Sequence, residues 1–315
     1  MVKKTIMVAL GGNALSPKSD AGTIENQFEH TKQSLKSLMH FVRNDYNICI
    51  THGNGPQVGA ELLRNEISST KIPSLPLGVL VANTQGAMGY MIQQSLQNAL
   101  YNENTKREVV SFISQMKVDK NDPAINAPSK FIGQGYSNEQ AQSLISNNKW
   151  TMKEQEPGIW RRVVPSPTPK YIFNGKSIKH LVDFGTIVIA GGGGGIPAYN
   201  LNDGTLTGLD GVIDKDMTAA LLGRIIKAQE LFIITDVDNI YLNFKTDSEE
   251  IIYDAPASDV QNWLKDGHFW RGSMEPKIKA ALYFLNHHGK EVIITSIHNI
   301  ENAIHNKAGT RIIKD

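Results

Sequence analysis

Thr186-Ile187-Val188-Ile189-Ala190 runs directly into Gly191-Gly192-Gly193-Gly194-Gly195 and then Ile196-Pro197, so an apolar, β-branched segment empties into a loop without side chains. A buried strand ending in such a loop lets peptide N–H groups crowd around an anion. Working outward, the same design occurs twice toward the N-terminus. Thr5 to Leu10 runs into Gly11-Gly12-Asn13, and Tyr46 to Thr51 runs into His52-Gly53-Asn54-Gly55. Asn13 and Asn54 add amide donors beside the glycines, a combination suited to a small oxyanion. Three glycine-lined strand ends predict one polyanion site.

Further runs, Glu108 to Ile113, Glu230 to Thr235 and Glu291 to Thr295, read as strands. Between the strands, Gln27 to Val42, Gly86 to Tyr101, Asp216 to Ile226 and Pro276 to His287 place apolar residues at the three- and four-residue spacing of amphipathic helices. This alternation predicts an α/β fold built on a mainly parallel sheet. One stretch, about 117–170, breaks the rhythm with Pro, Asn, Ser, Gln and Gly and with turn signals at Asp122-Pro123, Pro157-Gly158 and Pro165-Ser166-Pro167. A solvated linker is one reading of it. Phe131, Ile132, Tyr136, Trp150, Trp160, Val163 and Val164 supply the anchors of an ordered insertion or lid instead.

The chain has 315 residues, 40% of them hydrophobic, enough for one extensive core. Its 32 basic and 31 acidic residues leave a net charge of +1, so nothing electrostatic points to nucleic acid or an anionic membrane as partner. The single cysteine, Cys49, excludes an intrachain disulfide and a cysteine-cluster metal site. The sequence passes from Lys3-Lys4 into a β-like run and contains no stretch of membrane-spanning length, which gives the cytoplasm as the expected address.

Neither Gly-x-x-x-x-Gly-Lys-Ser/Thr nor Gly-x-Gly-x-x-Gly is completed at any of the three loops, which argues against a P-loop or an ordinary dinucleotide site. Phosphoryl transfer would need cations, and three lysines are candidates. Lys215 lies in Val212-Ile213-Asp214-Lys215-Asp216, where a helix should begin and its positive end would reinforce an anion site. Lys277 follows Gly272-Ser273-Met274-Glu275-Pro276, with Ser273 a candidate N-cap. Lys130 lies in the irregular insertion. His52, beside a glycine turn, reads as a hydrogen-bonded structural residue rather than a base.

Taken in order, these motifs resemble those of the carbamate kinases, within the amino-acid kinase superfamily. The resemblance spans Val8 to Ala14, His52 to Gly59, Thr84-Gln85-Gly86 with Gly89-Tyr90, Val163 to Pro167, Gly192 to Pro197, Val212 to Asp216, and Gly267-His268-Phe269 with Gly272-Ser273-Met274, Pro276 and Lys277. It implies a three-layer α/β/α sandwich with a mainly parallel central sheet, forming a homodimer. The reaction it implies is reversible: ATP and carbamate give ADP and carbamoyl phosphate, with Mg²⁺ as cofactor.

A single domain over 1–315 would hold carbamate or carbamoyl phosphate in its first part, to about 205, with the lid at about 117–170, and the nucleotide in the part from about 206. Gly11, Gly12, Asn13, Gly53, Asn54, Gly193 and Gly194 would cradle carbamate and the moving phosphoryl group. Lys130, Lys215 and Lys277 would be catalytic, with Asp216 organising them and Asp214 in the same network. Asp236, Val237, Phe244, Met274 and Pro276 would join Lys215 and Lys277 around the nucleotide. Arginine catabolism would be the metabolic setting.

The resemblance departs in three places. Ala127 and Phe131 replace an asparagine and a proline beside Lys130, Gly158 replaces an arginine ahead of Trp160-Arg161, and Lys245-Thr246-Asp247 replaces Gly-Lys-Pro after Phe244. Two other readings therefore stand beside the enzyme: a nucleotide-binding regulatory protein on the same fold, and a related kinase for another small carboxylate or phosphonate.

Overall fold

Strand Thr5–Leu10 shows how the sequence builds its layers. All six of its residues are buried, and successive residues serve opposite faces. Met7 and Ala9 join one apolar core, while Ile6, Val8 and Leu10 join another. A run apolar on both faces is what a parallel strand covered by helices on two sides requires. In a computed structural model, which describes residues 3–16, 22–270 and 273–315 apart from the side chains of Asn13 and Ala14, this strand lies inside an eight-stranded sheet.

Across the sheet the order is Asp254–Pro256, Thr310–Ile313, Glu291–Ser296, Glu230–Thr235, Thr5–Leu10, Asn47–His52, Ile187–Ile189 and Val109–Ser111. The last six named run parallel, and Thr310–Ile313 turns antiparallel against Glu291–Ser296. Helices Gly175–Phe184, Lys215–Ile226, Ala257–Lys265 and Met274–Leu285 contribute to one core. Helices Ile24–Lys36, Met39–Arg43, Leu77–Asn102 and Ile300–Ile304 contribute to the other. The three-layer α/β/α sandwich is thus present.

Two helices differ from the sequence reading. The expected helix Gln27 to Val42 is two, because the backbone tightens where Leu38 N–H bonds Leu35 C=O at 3.0 Å. That turn lets Leu38, Met39, Phe41 and Val42 all be buried, which one straight helical stripe would not allow. The helix expected from Gly86 starts at Leu77, since Leu77, Leu80, Val81, Thr84 and Gln85 extend its buried face backward. Gly89 marks where this helix meets the edge strand: a Cβ there would stand 2.2 Å from Ser111 Oγ.

The region at about 117–170 is ordered. Lys130–Tyr136, Ile159–Val164 and Met152–Glu156 form a small antiparallel sheet, and Ser137 and Gln140 form a capping box for helix Asn138–Asn148. Gly158, φ +79°, follows Pro157 at the tip of the hairpin between Glu156 and Ile159, and a side chain there would meet no neighbour within 4 Å. Among the described residues no helix is long and apolar enough to cross a membrane.

Candidate active site

The strand order brings the glycine turns together. Glu230–Thr235, Thr5–Leu10, Asn47–His52 and Ile187–Ile189 are consecutive neighbours, so their C-terminal ends open on one crevice. Sheet hydrogen bonds continue into the turns: Gly11 N–H donates to Ile234 C=O and Gly53 N–H to Leu10 C=O, both at 2.9 Å. The turns touch, since a Cβ on Gly53 would lie 2.8 Å from Gly12 N. The result is a cavity of about 350 Å³ lined by Gly11, Gly12, Gly53, Asn54, Gly193 and all three candidate lysines. Helices start at its wall, with Gly55, Lys215 and Pro276 among the lining residues, so peptide N–H groups and helix dipoles favour negative charge there.

Lys215, Asp216 and Lys277 form its charged centre. Lys215 Nζ lies 2.6 Å from Asp216 Oδ1, and Lys277 Nζ lies 3.3 Å from Asp216 Oδ2. Burial alone would push the Asp216 carboxyl up, yet the two ammonium groups overcome it and lower its pKa to about 2. Burial also works against the charge on Lys277, but Asp216 and Asp214 outweigh it and raise its pKa above the ordinary lysine value. One buried carboxylate thus pairs with both lysines and favours the charged form of Lys277.

Asp214 caps the helix that carries Lys215, accepting from Asp216 N–H at 2.9 Å, and its other oxygen receives Lys130 Nζ at 3.2 Å. Lys130 therefore reaches the site from the first strand of the inserted sheet. The insertion is fastened elsewhere by Arg162 to Asp210 at 2.6 Å and by Tyr136 Oη donating to Glu66 at 2.7 Å. Three lysines thus meet two carboxylates here, and a third carboxylate, Asp236, lines the same cavity and acts on Lys277. Ser273 stands at the N-cap of Met274–Leu285 but its side chain makes no capping bond.

Asp236 and Pro276 line this same cavity, and Val237, Phe244 and Met274 line a smaller one beside it, of about 70 Å³, with Ser273 common to both. Two aromatic residues that the sequence reading did not single out complete the smaller cavity: Tyr241, 5.6 Å from Phe244 between ring centroids, and Trp270, at 6.1 Å. Lys245 Nζ stands 5.5 Å from both the Phe244 and the Trp270 rings. The expected contributions of the Asn13 side chain and of Gly272 lie outside the described residues.

The five-glycine loop is held by side chains from elsewhere. Thr51 Oγ1 donates to Gly191 C=O at 2.9 Å, Gln85 Nε2 to Gly192 C=O at 3.0 Å and Thr218 Oγ1 to Gly194 C=O at 2.7 Å. Gly193 and Gly194 have φ of +63° and +89°, and a Cβ on Gly194 would stand 2.0 Å from Ile213 O, so only glycine fits. His52 lies beneath, 1% exposed, with Nδ1 3.0 Å from Gly53 C=O. Since a carbonyl can only accept, Nδ1 carries the proton. Burial lowers the His52 pKa to about 4, against the modest support of that carbonyl, so the ring is neutral.

The chain matches the amino acid kinase family over residues 4–296. It is 38% identical to the carbamate kinase of Pyrococcus furiosus over 98% of this chain and 99% of that protein. With the carbamate kinase-like protein YahI of Escherichia coli it shares 40% identity over 99% of this chain and 100% of that one. Its backbone superposes on the carbamate kinase from Giardia lamblia bound to AMP-PNP with a TM-score of 0.92, at 37% identity over 99% of each chain. The glycine crevice, its lysine cluster and these full-length similarities agree: the chain belongs to the amino acid kinase family and, within it, to the carbamate kinases.

Proposed function

We propose that this protein transfers a phosphoryl group reversibly between ATP and carbamate, and that it runs toward ATP from carbamoyl phosphate and ADP in arginine catabolism. The observation that carries this reading is the Lys215–Asp216–Lys277 triad, its carboxylate buried and its two lysines partly so, facing glycine turns that offer peptide groups and Asn54. In the ATP-forming direction a terminal oxygen of ADP attacks phosphorus as the bond to the carbamoyl oxygen breaks, and carbamate leaves. The attacking ADP oxygen is already anionic and the bridging oxygen takes up the electron pair of the broken P–O bond to leave as the stable carbamate anion, so neither a general base nor a general acid is needed; positioning and charge neutralisation supply the acceleration. That suits a site whose histidine is neutral and buried.

Lys215 and Lys277 would neutralise the moving phosphoryl group, with Asp216 fixing their positions and Lys130 completing the trio from the lid at about 117–170. Gly11, Gly12, Asn13, Gly53, Asn54, Gly193 and Gly194 would surround the carbamoyl end, in the part of the chain to about 205. From about 206 onward, Asp236, Val237, Phe244, Met274 and Pro276 would receive the nucleotide, with Tyr241 and Trp270 as further walls. Mg²⁺ enters as the phosphate complex of the nucleotide, the usual form for an ion that keeps few protein ligands. A cytoplasmic homodimer is the form in which we expect it to act.

The test is ATP formation from carbamoyl phosphate and MgADP, followed by luciferase light. Light above the enzyme-free rate, proportional to enzyme, is expected. ADP binding without ATP at high enzyme concentration would instead favour a regulatory nucleotide binder, and transfer only to other acceptors a related small-carboxylate kinase.

A further inference from the structure

Helix Leu77–Asn102 carries two adjacent polar residues, Thr84 and Gln85, on its buried face, 2% and 1% exposed. Buried polar side chains are costly unless fully bonded. Both are bonded: Thr84 to Asn54, which lines the cavity, and Gln85 to Ser114 and to Gly192, the neighbour of the lining residue Gly193. Thr84 Oγ1 accepts from Asn54 Nδ2 at 2.8 Å. Gln85 Oε1 accepts from Ser114 N–H at 2.7 Å while its Nε2 donates to Gly192 C=O. Ser114 Oγ in turn accepts from Gly191 N–H at 2.9 Å. From the opposite core, Thr218, 0% exposed, holds Gly194 C=O.

A run of five glycines has more backbone freedom to lose than any other sequence of its length. It also has two polar faces, and only the N–H face attracts phosphate oxygens. Because Gln85 and Thr218 are fully buried, the carbonyls they hold at 192 and 194 are drawn into the protein. Gly193, between them, is the loop residue that lines the cavity. Its position is further limited by the Asn54 carboxamide, since a Cβ on Gly193 would fall 2.3 Å from Asn54 Nδ2.

We infer that Gln85 and Thr218 are positioning residues for phosphoryl transfer: they hold the carbonyls of the glycine loop away from the cavity, so that the migrating group meets peptide donors already in place. Such preorganisation acts on the transition state more than on nucleotide binding. The inference rests on the phosphoryl-transfer reading above, and its test separates the two.

Three variants are compared with the wild type: Gln85→Met, Thr218→Val, which removes a hydroxyl without changing shape, and Thr218→Ser, which restores it. Hydrogen exchange across 188–197 reports the loop directly. It is expected to quicken about tenfold in Gln85→Met and Thr218→Val and nowhere else in the molecule. In ATP formation kcat should fall about 30-fold with KM for ADP within about twofold, and Thr218→Ser should recover to within about threefold of wild type.

Unchanged exchange and kcat in Thr218→Val would overturn the inference. So would a loss not recovered by Thr218→Ser, or one in which KM for ADP shifts as much as kcat. Should Gln85→Met fail to fold, the Thr218 pair decides alone. Should the wild type make no ATP, the functional reading falls, and the inference is then decided by inorganic phosphate binding: weaker in Thr218→Val and recovered in Thr218→Ser upholds it, equal in all three refutes it.

Discussion

Replacing His52 by Gln should remove much of the protein's sensitivity to mild acid. In the native state the imidazole is enclosed beneath two glycine turns, with its pKa lowered to about 4. In the unfolded chain it should titrate near the ordinary histidine value of about 6.5. The unfolded chain therefore binds the proton more readily. Stability from this group is complete above the unfolded pKa and is lost as the pH falls toward the native one. Between pH 7.5 and pH 5 the linkage relation gives a loss of about 2 kcal/mol from His52 alone.

Urea unfolding of wild type and His52→Gln at both pH values measures this as a double difference. The pH-independent cost of the substitution cancels, as do the contributions of the other histidines. The wild type should lose about 2 kcal/mol more than the variant over that interval. Equal pH dependence in the two proteins would mean that His52 is already protonated or solvated when folded. The reasoning that makes it a neutral support rather than a base would then be refuted.

Lys215→Met and Lys277→Met each leave Asp216 with one ammonium partner; either should lower kcat for ATP formation about 10²–10³-fold, and a loss of less than tenfold would remove the lysine from the chemistry. Gly193→Ala forces a side chain into a position with φ +63° against Asn54; its thermal midpoint should drop, by about 2 kcal/mol of stability, and calorimetry showing an unchanged midpoint would contradict the close fit. Trp270→Ala should raise KM for ADP roughly five- to tenfold while leaving kcat within about twofold, because a stacking partner contributes about 1 kcal/mol. A KM equal to that of the wild type would place the base elsewhere.

Much of this architecture was legible in the sequence because parallel strands are apolar on both faces and stand out as runs. Thr5–Leu10 and Glu230–Thr235 have the bounds read from sequence alone. Strands Asp254–Pro256 and Thr310–Ile313 were not read, being short and mixed with polar residues at the sheet's antiparallel margin. The second sheet, containing Gln115–Lys117, Tyr171–Ile172, Ile196–Asn200 and Leu206–Gly208, was also missed; its strands span two to five residues, and one contains Pro197.

At the site, glycine announced the turns because a loop stripped of side chains has few other causes. The meeting of Lys130, Lys215 and Lys277 was not derivable from their spacing and came from the family resemblance. Gln85 was visible only as part of a motif, since its partners lie 29 and 107 residues away. The available signal was an adjacent polar pair on a helical face that is otherwise mostly apolar. Trp270 gave no sign, as its neighbours Phe244 and Lys245 come from a separate loop.

The antiparallel margin bears on how the molecule comes into being. Asp254–Pro256 joins the great sheet only by pairing with Thr310–Ile313, which itself leans on Glu291–Ser296. A chain growing from the ribosome must therefore leave segment 254–256 unpaired for more than fifty further residues, and the helix bearing Lys277 emerges within that interval. Folding at this flank has to await Thr310–Ile313. Phosphate chemistry should accordingly switch on late in synthesis, which makes the onset of activity a clock for completion of the fold.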